Sequence, residues 1–401
     1  MVGNAIAIPP YASLHQTASS NKPFFSFPSS GLEAHKATTP LQSINHSCQE
    51  QPISLNNDLA SANNRLNSGS NMIDTIYIEE NILQHPRVLD ICARFPKARQ
   101  VTCNRYGEVF NPKAQNFRLQ KQQPALILAE KYQGFMLKAP PHYGIGAKQN
   151  YYFSHMLNCL YDCRYCFLQG MYQSANYVLF VNYEDYFADI QRLCAETPDE
   201  PVHFFSGYDC DSLALEPVTD FAKEFLPVIR AIPNAWMELR TKSTQVRHLL
   251  DIEAFERCIV AFSFTPDEIA SALEHKAPNI LKRLDALNKL QEKGWPIGLR
   301  FDPIIYEDDY QQHYQSLFKT VFAKINPDLL HSVSLGVFRL PDKYFKKVQK
   351  LYPEEKLFAS PLESRDGMMS YKAKIEEEMM QFCTQELLNY IPEDKFFPCS
   401  L

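Results

Sequence analysis

Three cysteines, Cys159, Cys163 and Cys166, fall in the stretch CLYDCRYCFLQG at residues 159–170, spaced C-x3-C-x2-C among aromatic side chains. A structural zinc site takes four ligands, commonly as two C-x2-C knuckles, and no second knuckle follows in this chain. His155, four residues earlier, sits in a strand pattern and reads as packing. Three close thiolates suit a cubane iron–sulfur cluster that leaves one iron open. An open iron can bind a small chelating ligand and pass an electron into it. A zinc site, or chance clustering of core thiols, is the plainer alternative.

The elements that must hold such a loop follow from the apolar patterning. YYFSHML leads into the cysteines as a strand; PVHFFSG, WMELRT, CIVAFSF, PIGLRFDPI and HSVSLGVF are five more. Between them lie the helical patterns EPVTDFAKEFLPVIRAI, STQVRHLLDI, NILKRLDALNKLQEKG and YQQHYQSLFKTVFAKI, the third closed by Gly294 as a left-handed cap. Strand–helix alternation predicts a parallel sheet with helices outside. Six units are too few for a closed eight-stranded barrel, so the fold class is α/β, a partial (β/α)6 TIM-like barrel with its chemistry at the C-terminal strand ends.

Four regions are expected. Residues 1–73, rich in Ser, Asn, Gln and Pro, form a disordered low-complexity leader. Residues 74–148 form a small N-terminal α/β region, beginning with the strand TIYIE and a helical spacing at Leu83, Val88, Leu89 and Cys92. The barrel occupies 149–340 and a helical extension 341–401. With 401 residues, 45% hydrophobic, the chain can bury a sizeable core. A formal net charge of −6 supplies no global basic field for nucleic acid. No apolar run approaches the roughly 20 residues of a membrane helix. The odd total of 11 cysteines, mostly in apolar context, fits reduced thiols and a cytoplasmic location rather than a disulfide framework.

C-x3-C-x-aromatic-C, with Tyr165 as the aromatic, resembles the cluster motif of radical S-adenosylmethionine (SAM) enzymes. The resemblance narrows with IYIEENILQHP…ICARFP, NFRLQKQQPALILAEK, SLALEPVT and AFSFTPDEIASALEHKAPNILKRLDALNKLQEKGWPIGLRFDPI, which are similar to the spore photoproduct lyase family from about Thr75 to the 370s. It implies a [4Fe-4S] cluster on the three cysteines and SAM on the open iron, cleaved to a 5′-deoxyadenosyl radical. The lyases use that radical to reverse a methylene-bridged thymine dimer in DNA. It also implies an electron donor such as flavodoxin or ferredoxin, and damaged DNA as partner. Carried over by position, Ser206 and Gly207 receive the SAM amino end, Lys242 in LRTKS holds the SAM carboxylate, and Ser263 in AFSFTP lies near the ribose. A buried carboxylate does require a cation and donors.

The sequence also departs from the lyases. Their hydrogen-returning cysteine after the second strand aligns, without gaps, with Tyr208, and Cys210 lies two residues on. A lyase tyrosine just after the third cluster cysteine is Phe167. Where the lyases insert a basic, aromatic hairpin, ESRDGMMSYKAKIEEEMM is short and largely acidic. The alternatives are a radical SAM enzyme on a non-DNA substrate and a non-catalytic iron–sulfur or zinc module that binds nucleic acid.

Three further groups read chiefly as structure. Arg300 and Asp302 end the fifth strand and either face the active site or form an ion pair at the barrel rim; Glu274, His275 and Lys276 read as a solvated loop rather than a substrate entry. The basic residues of 339–350, with Lys113, Arg118, Lys121 and Lys131, could track phosphates but read as a solvated face.

Overall fold

The computed structural model describes residues 73–140 and 143–399, so the expected leader lies, save for its last residue, outside the described residues. The barrel strands form in the expected order: β1 (Gln149–Tyr152), β2 (Val202–Ser206), β3 (Ala235–Thr241), β4 (Cys258–Ser263), β5 (Ile297–Ile304) and β6 (Leu330–Val337). Each pairs with the next in parallel. Connecting them are helices α1 (Tyr183–Glu196), α2 (Phe221–Ala231), α3 (Arg247–Asp251), α4 (Ile280–Glu292) and α5 (Tyr310–Phe322). β4 is buried along its whole length and β3 and β5 along most of theirs, as a parallel sheet covered on both faces requires. The result is a curled, open half-barrel. Gly294 takes φ +84° after α4, as its position predicts.

The helical pattern at EPVTDFAKEFLPVIRAI splits into two, because Asp220 adopts φ +48° between Glu216–Thr219 and α2. Beyond residue 341 the fold is not purely helical. Phe396–Pro398 pairs in parallel with β6 as a seventh barrel strand, β7, preceded by helix α6 (Ala373–Leu388). Three residues that include a proline carry no periodicity, which is why this strand is invisible in the sequence. The short acidic segment also forms a hairpin. Leu362–Arg365 pairs with Met368–Tyr371, and Arg339–Pro341 adds a third strand. Asp366 (φ +51°) and Gly367 (φ +81°) supply the two left-handed residues of a tight hairpin turn.

The N-terminal region folds as a second sheet. Thr75–Glu79 lies between Arg99–Cys103 and Leu126–Ala129, all parallel. Two strands that flank the cysteine loop complete it: Tyr177–Phe180 pairs in parallel with Leu126–Ala129, and Met156–Leu157 pairs antiparallel with Tyr177–Phe180. The chain therefore leaves the barrel at Tyr152, crosses to the N-terminal sheet, makes the cysteine loop and returns along that same sheet. No helix among the described residues is long and apolar enough to cross a membrane.

Candidate active site

At the C-terminal ends of the barrel strands lies a cavity of about 370 Å³. Cys159, Cys163, Tyr165, Cys166, Ser206, Gly207, Tyr208, Cys210, Lys242 and Ser263 all line it.

The cysteine loop is held from several sides. Asn158, at φ +69°, donates from Nδ2 to the carbonyls of Ser174 and Asn176. Buried Lys121 donates to the carbonyls of Cys159 (2.9 Å) and Tyr161 (3.1 Å). Asp162–Cys163 pairs antiparallel with Glu274–His275, and the amide of Arg164 donates to the Leu273 carbonyl. The Tyr161 amide donates to the Cys159 sulfur at 3.4 Å, which favours charge on that sulfur. Burial pushes the Cys159 thiol up to about 12; it also raises Cys163, opposed there by the charge of Lys242. Among the described residues no group of three or more His, Cys, Asp or Glu is already arranged around a metal position. Cys159, Cys163 and Cys166 do line one cavity from one loop, which suits a ligand set for a cluster with an open side.

Lys242 stands at the end of β3. Its amide donates to Asp211 Oδ2 (2.6 Å), while Asp211 Oδ1 accepts from Thr241 Oγ1 and the amides of Leu213 and Ala214. The turn after β2 thereby fixes where Lys242 emerges. Its ammonium lies 3.9 Å from Glu274 Oε1 and 5.6 Å from the centroid of the Tyr165 ring. Burial would lower its pKa, but the charges of Glu274, Cys163 and Asp211 together outweigh that and raise it, so the lysine is a cation.

Glu274 is the residue that sequence reasoning missed. It is 5% exposed, not solvated. One carboxylate oxygen accepts from Tyr165 and Thr265, and the other from Arg283, itself 1% exposed. Burial pushes Glu274 up, but Lys242 and Arg283 more than reverse it. This carboxylate joins the cysteine loop to the ends of β3 and β4. Lys276 likewise donates to the Lys121 carbonyl.

The other residues divide by what they touch. The Ser206 hydroxyl is engaged by the Glu238 carbonyl and Ser212 Oγ, both 2.8 Å away. Gly207 has φ +81°, and a Cβ there would stand 2.6 Å from Ser212 Oγ, so the sharp turn requires glycine. Ser263 lines the cavity, and its carbonyl accepts from Arg283 Nη1 (3.0 Å). The Tyr208 ring sits 4.6 Å from Tyr152 and 5.3 Å from Phe167, centroid to centroid. Cys210 is more buried, at 6% exposure.

Two expectations are corrected. Arg300 does not pair with Asp302: it is fully buried inside the barrel, 2.6 Å from Glu238, while Asp302 binds Arg339 at 2.9 and 3.1 Å. Nor is there one open basic face. Lys121 and Lys131 are buried, Arg118 pairs with Glu354, and Arg339 points into the cavity; Lys343, Lys346 and Lys350 remain exposed.

A family model described as spore photoproduct lyase matches residues 147–396. The chain is similar to the spore photoproduct lyase of Bacillus subtilis (strain 168), 25% identical over 250 residues, spanning 60% of this chain and 71% of the relative. It is also similar to that of Geobacillus sp. (strain Y412MC61), 26% identical over 204 residues, spanning 50% and 59%. Among solved structures, a spore photoproduct lyase variant with bound AdoMet and dinucleoside spore photoproduct superposes with a TM-score of 0.72. That match has 19% identity and covers 81% of this chain and 98% of the other. A spore photoproduct lyase complexed with dinucleoside spore photoproduct superposes with a TM-score of 0.69, at the same identity and coverage.

Proposed function

The chain belongs to the spore photoproduct lyase family of radical SAM enzymes, and we propose that it opens a methylene-bridged thymine lesion in DNA. The observation that carries this reading is the convergence of three cluster-type cysteines and the cation Lys242 on one cavity at the strand ends. Cys159, Cys163 and Cys166 would hold a [4Fe-4S] cluster. When bound, cluster and SAM supply the 5′-deoxyadenosyl radical, with the electron delivered by a flavodoxin- or ferredoxin-type donor.

The chain's own residues do the rest. Lys242 offers its ammonium to the SAM carboxylate, and Glu274 with Arg283 fixes its position. The turn at Ser206–Gly207 exposes backbone to the SAM amino end, since the Ser206 hydroxyl is already engaged. Ser263 stands at the end of β4, on the side assigned to the ribose. Tyr208 presents a phenol O–H as the hydrogen source in the place where the lyases have a thiol.

The test is anaerobic reconstitution, reduction and incubation with an oligonucleotide carrying the lesion, followed by chromatography of SAM fragments and repaired thymines. Lesion-dependent thymine recovery supports the proposal. SAM cleavage that is indifferent to the lesion would refute it and favour a non-DNA substrate, the reading to which Tyr208, Phe167 and the Glu363-bearing hairpin already lend weight.

A further inference from the structure

The barrel interior is layered. Along β3, Glu238, Arg240 and Lys242 share one face at successive alternate positions; Arg300 and Asp302 do so on β5, and Ser332 and Ser334 on β6. The deeper layer is saturated. Glu238 binds Arg300 at 2.6 Å, and Arg300 also donates to Ser332 Oγ at 2.9 Å.

The layer above faces the cavity and is not saturated. Ser334 is 4% exposed and lines the cavity, yet its Oγ has no hydrogen-bond partner. A hydroxyl in that state costs free energy unless a ligand meets it. Arg240 Nε is anchored on Glu238 at 3.0 Å, and the guanidinium lines the same cavity with 38% of its side chain exposed. Asp302 lies near enough for Arg240 to feel its charge. Arg339 holds that carboxylate in place, yet each of its oxygens keeps further acceptor capacity.

We propose that Arg240, Asp302 and Ser334 form a subsite for the imide edge of a pyrimidine ring. Arg240 and Ser334 donate to its two carbonyl oxygens, and Asp302 accepts the N–H between them. The pattern is donor–acceptor–donor, and the complementary edge belongs to thymine and uracil. Cytosine places an acceptor where the imide has its N–H. A ring saturated at its 5,6-bond keeps its imide edge, so this subsite reads the base without requiring it to be intact. The inference rests on the function proposed above and names the chemistry by which that site selects its substrate.

The test uses the full chain, anaerobically reconstituted and loaded with SAM, and titrates it with thymidine, 3-methylthymidine and deoxycytidine in a calorimeter. Thymidine should bind at least about 10-fold tighter than either competitor, because each of them leaves a buried polar group unmatched. Asp302→Ala, which removes the acceptor, should erase the preference over 3-methylthymidine. Ser334→Ala, a milder change, should weaken thymidine by about 5-fold while leaving SAM affinity unaltered. Equal binding of the three nucleosides by the unmodified chain would overturn the subsite. So would a Ser334→Ala protein that lost SAM affinity instead, since the hydroxyl would then belong to SAM. Lesion turnover, measured separately, tells failure of the subsite from failure of the proposed function.

Discussion

Replacing Lys242 by alanine removes one cation from the cavity, and its surroundings set how much that costs. At about 4 Å and an effective dielectric constant near 20, an ammonium–carboxylate pair is worth about 4 kcal/mol. Truncating one partner of a buried pair generally costs 2–5 kcal/mol. Glu274 competes for the ammonium from 3.9 Å, but it is already bound by Arg283, so part of the attraction remains for SAM. The expected loss is about 2–4 kcal/mol, a weakening of SAM of roughly 30- to 1,000-fold. The assay is equilibrium binding of SAM to anaerobically reconstituted protein, unmodified and Lys242→Ala, at matched cluster content. Cluster content should be unchanged. A Lys242→Ala protein that binds SAM as tightly as the unmodified chain would refute the assignment.

Cys163→Ala should abolish bound iron and SAM cleavage, measured by iron and sulfide analysis, because no other cysteine stands in that loop position. Tyr208→Phe should lower product yield and raise side products from an unquenched radical, while Cys210→Ala should do so less; normal products from both would dismiss each as hydrogen donor. Glu274→Ala leaves Arg283 buried without its partner and should cost about 3–5 kcal/mol in urea unfolding. Burial pushes Glu238 up, but Arg300 and Arg240 hold it down at about 2, below its ordinary 4.5. Its contribution of about 3 kcal/mol is therefore complete above pH 4.5 and fades as the pH falls towards 2. Glu238→Gln should be less stable at neutral pH yet show a shallower loss between pH 5 and 3 in urea titrations.

The barrel was legible because its strands are short apolar runs separated by helical spacing, and burial on both faces leaves such runs few other options. The cysteine loop was legible from spacing alone. Glu274 was not: its partners lie 109 residues away at Tyr165 and 9 away at Arg283, and EHKAP has the composition of any polar turn. The interior pairing of Arg300 is hidden in the sequence because its mate, Glu238, sits 62 residues earlier on a strand that is not its neighbour. The hairpin at 362–371 is masked by its acidic charge, although Asp366–Gly367 between two short runs is a turn signal. Local patterns reveal elements; pairings across a barrel interior need the curvature of the sheet.

The path of the chain around residues 156–180 has a consequence for how the protein handles metal. Both ends of the cysteine loop are stitched into the N-terminal sheet, one to the other and through Tyr177–Phe180 to Leu126–Ala129, while Lys121 grips the carbonyls inside it. A loop whose ends are already joined surrenders little further freedom when it takes up a ligand. The loop's path is thus set by the sheet and by Lys121, so its three thiols line one cavity without help from a ligand. The corollary concerns damage elsewhere: a cut or truncation between residues 75 and 130 would leave the barrel strands paired and yet untie the loop, so that its first symptom is a protein that no longer retains iron.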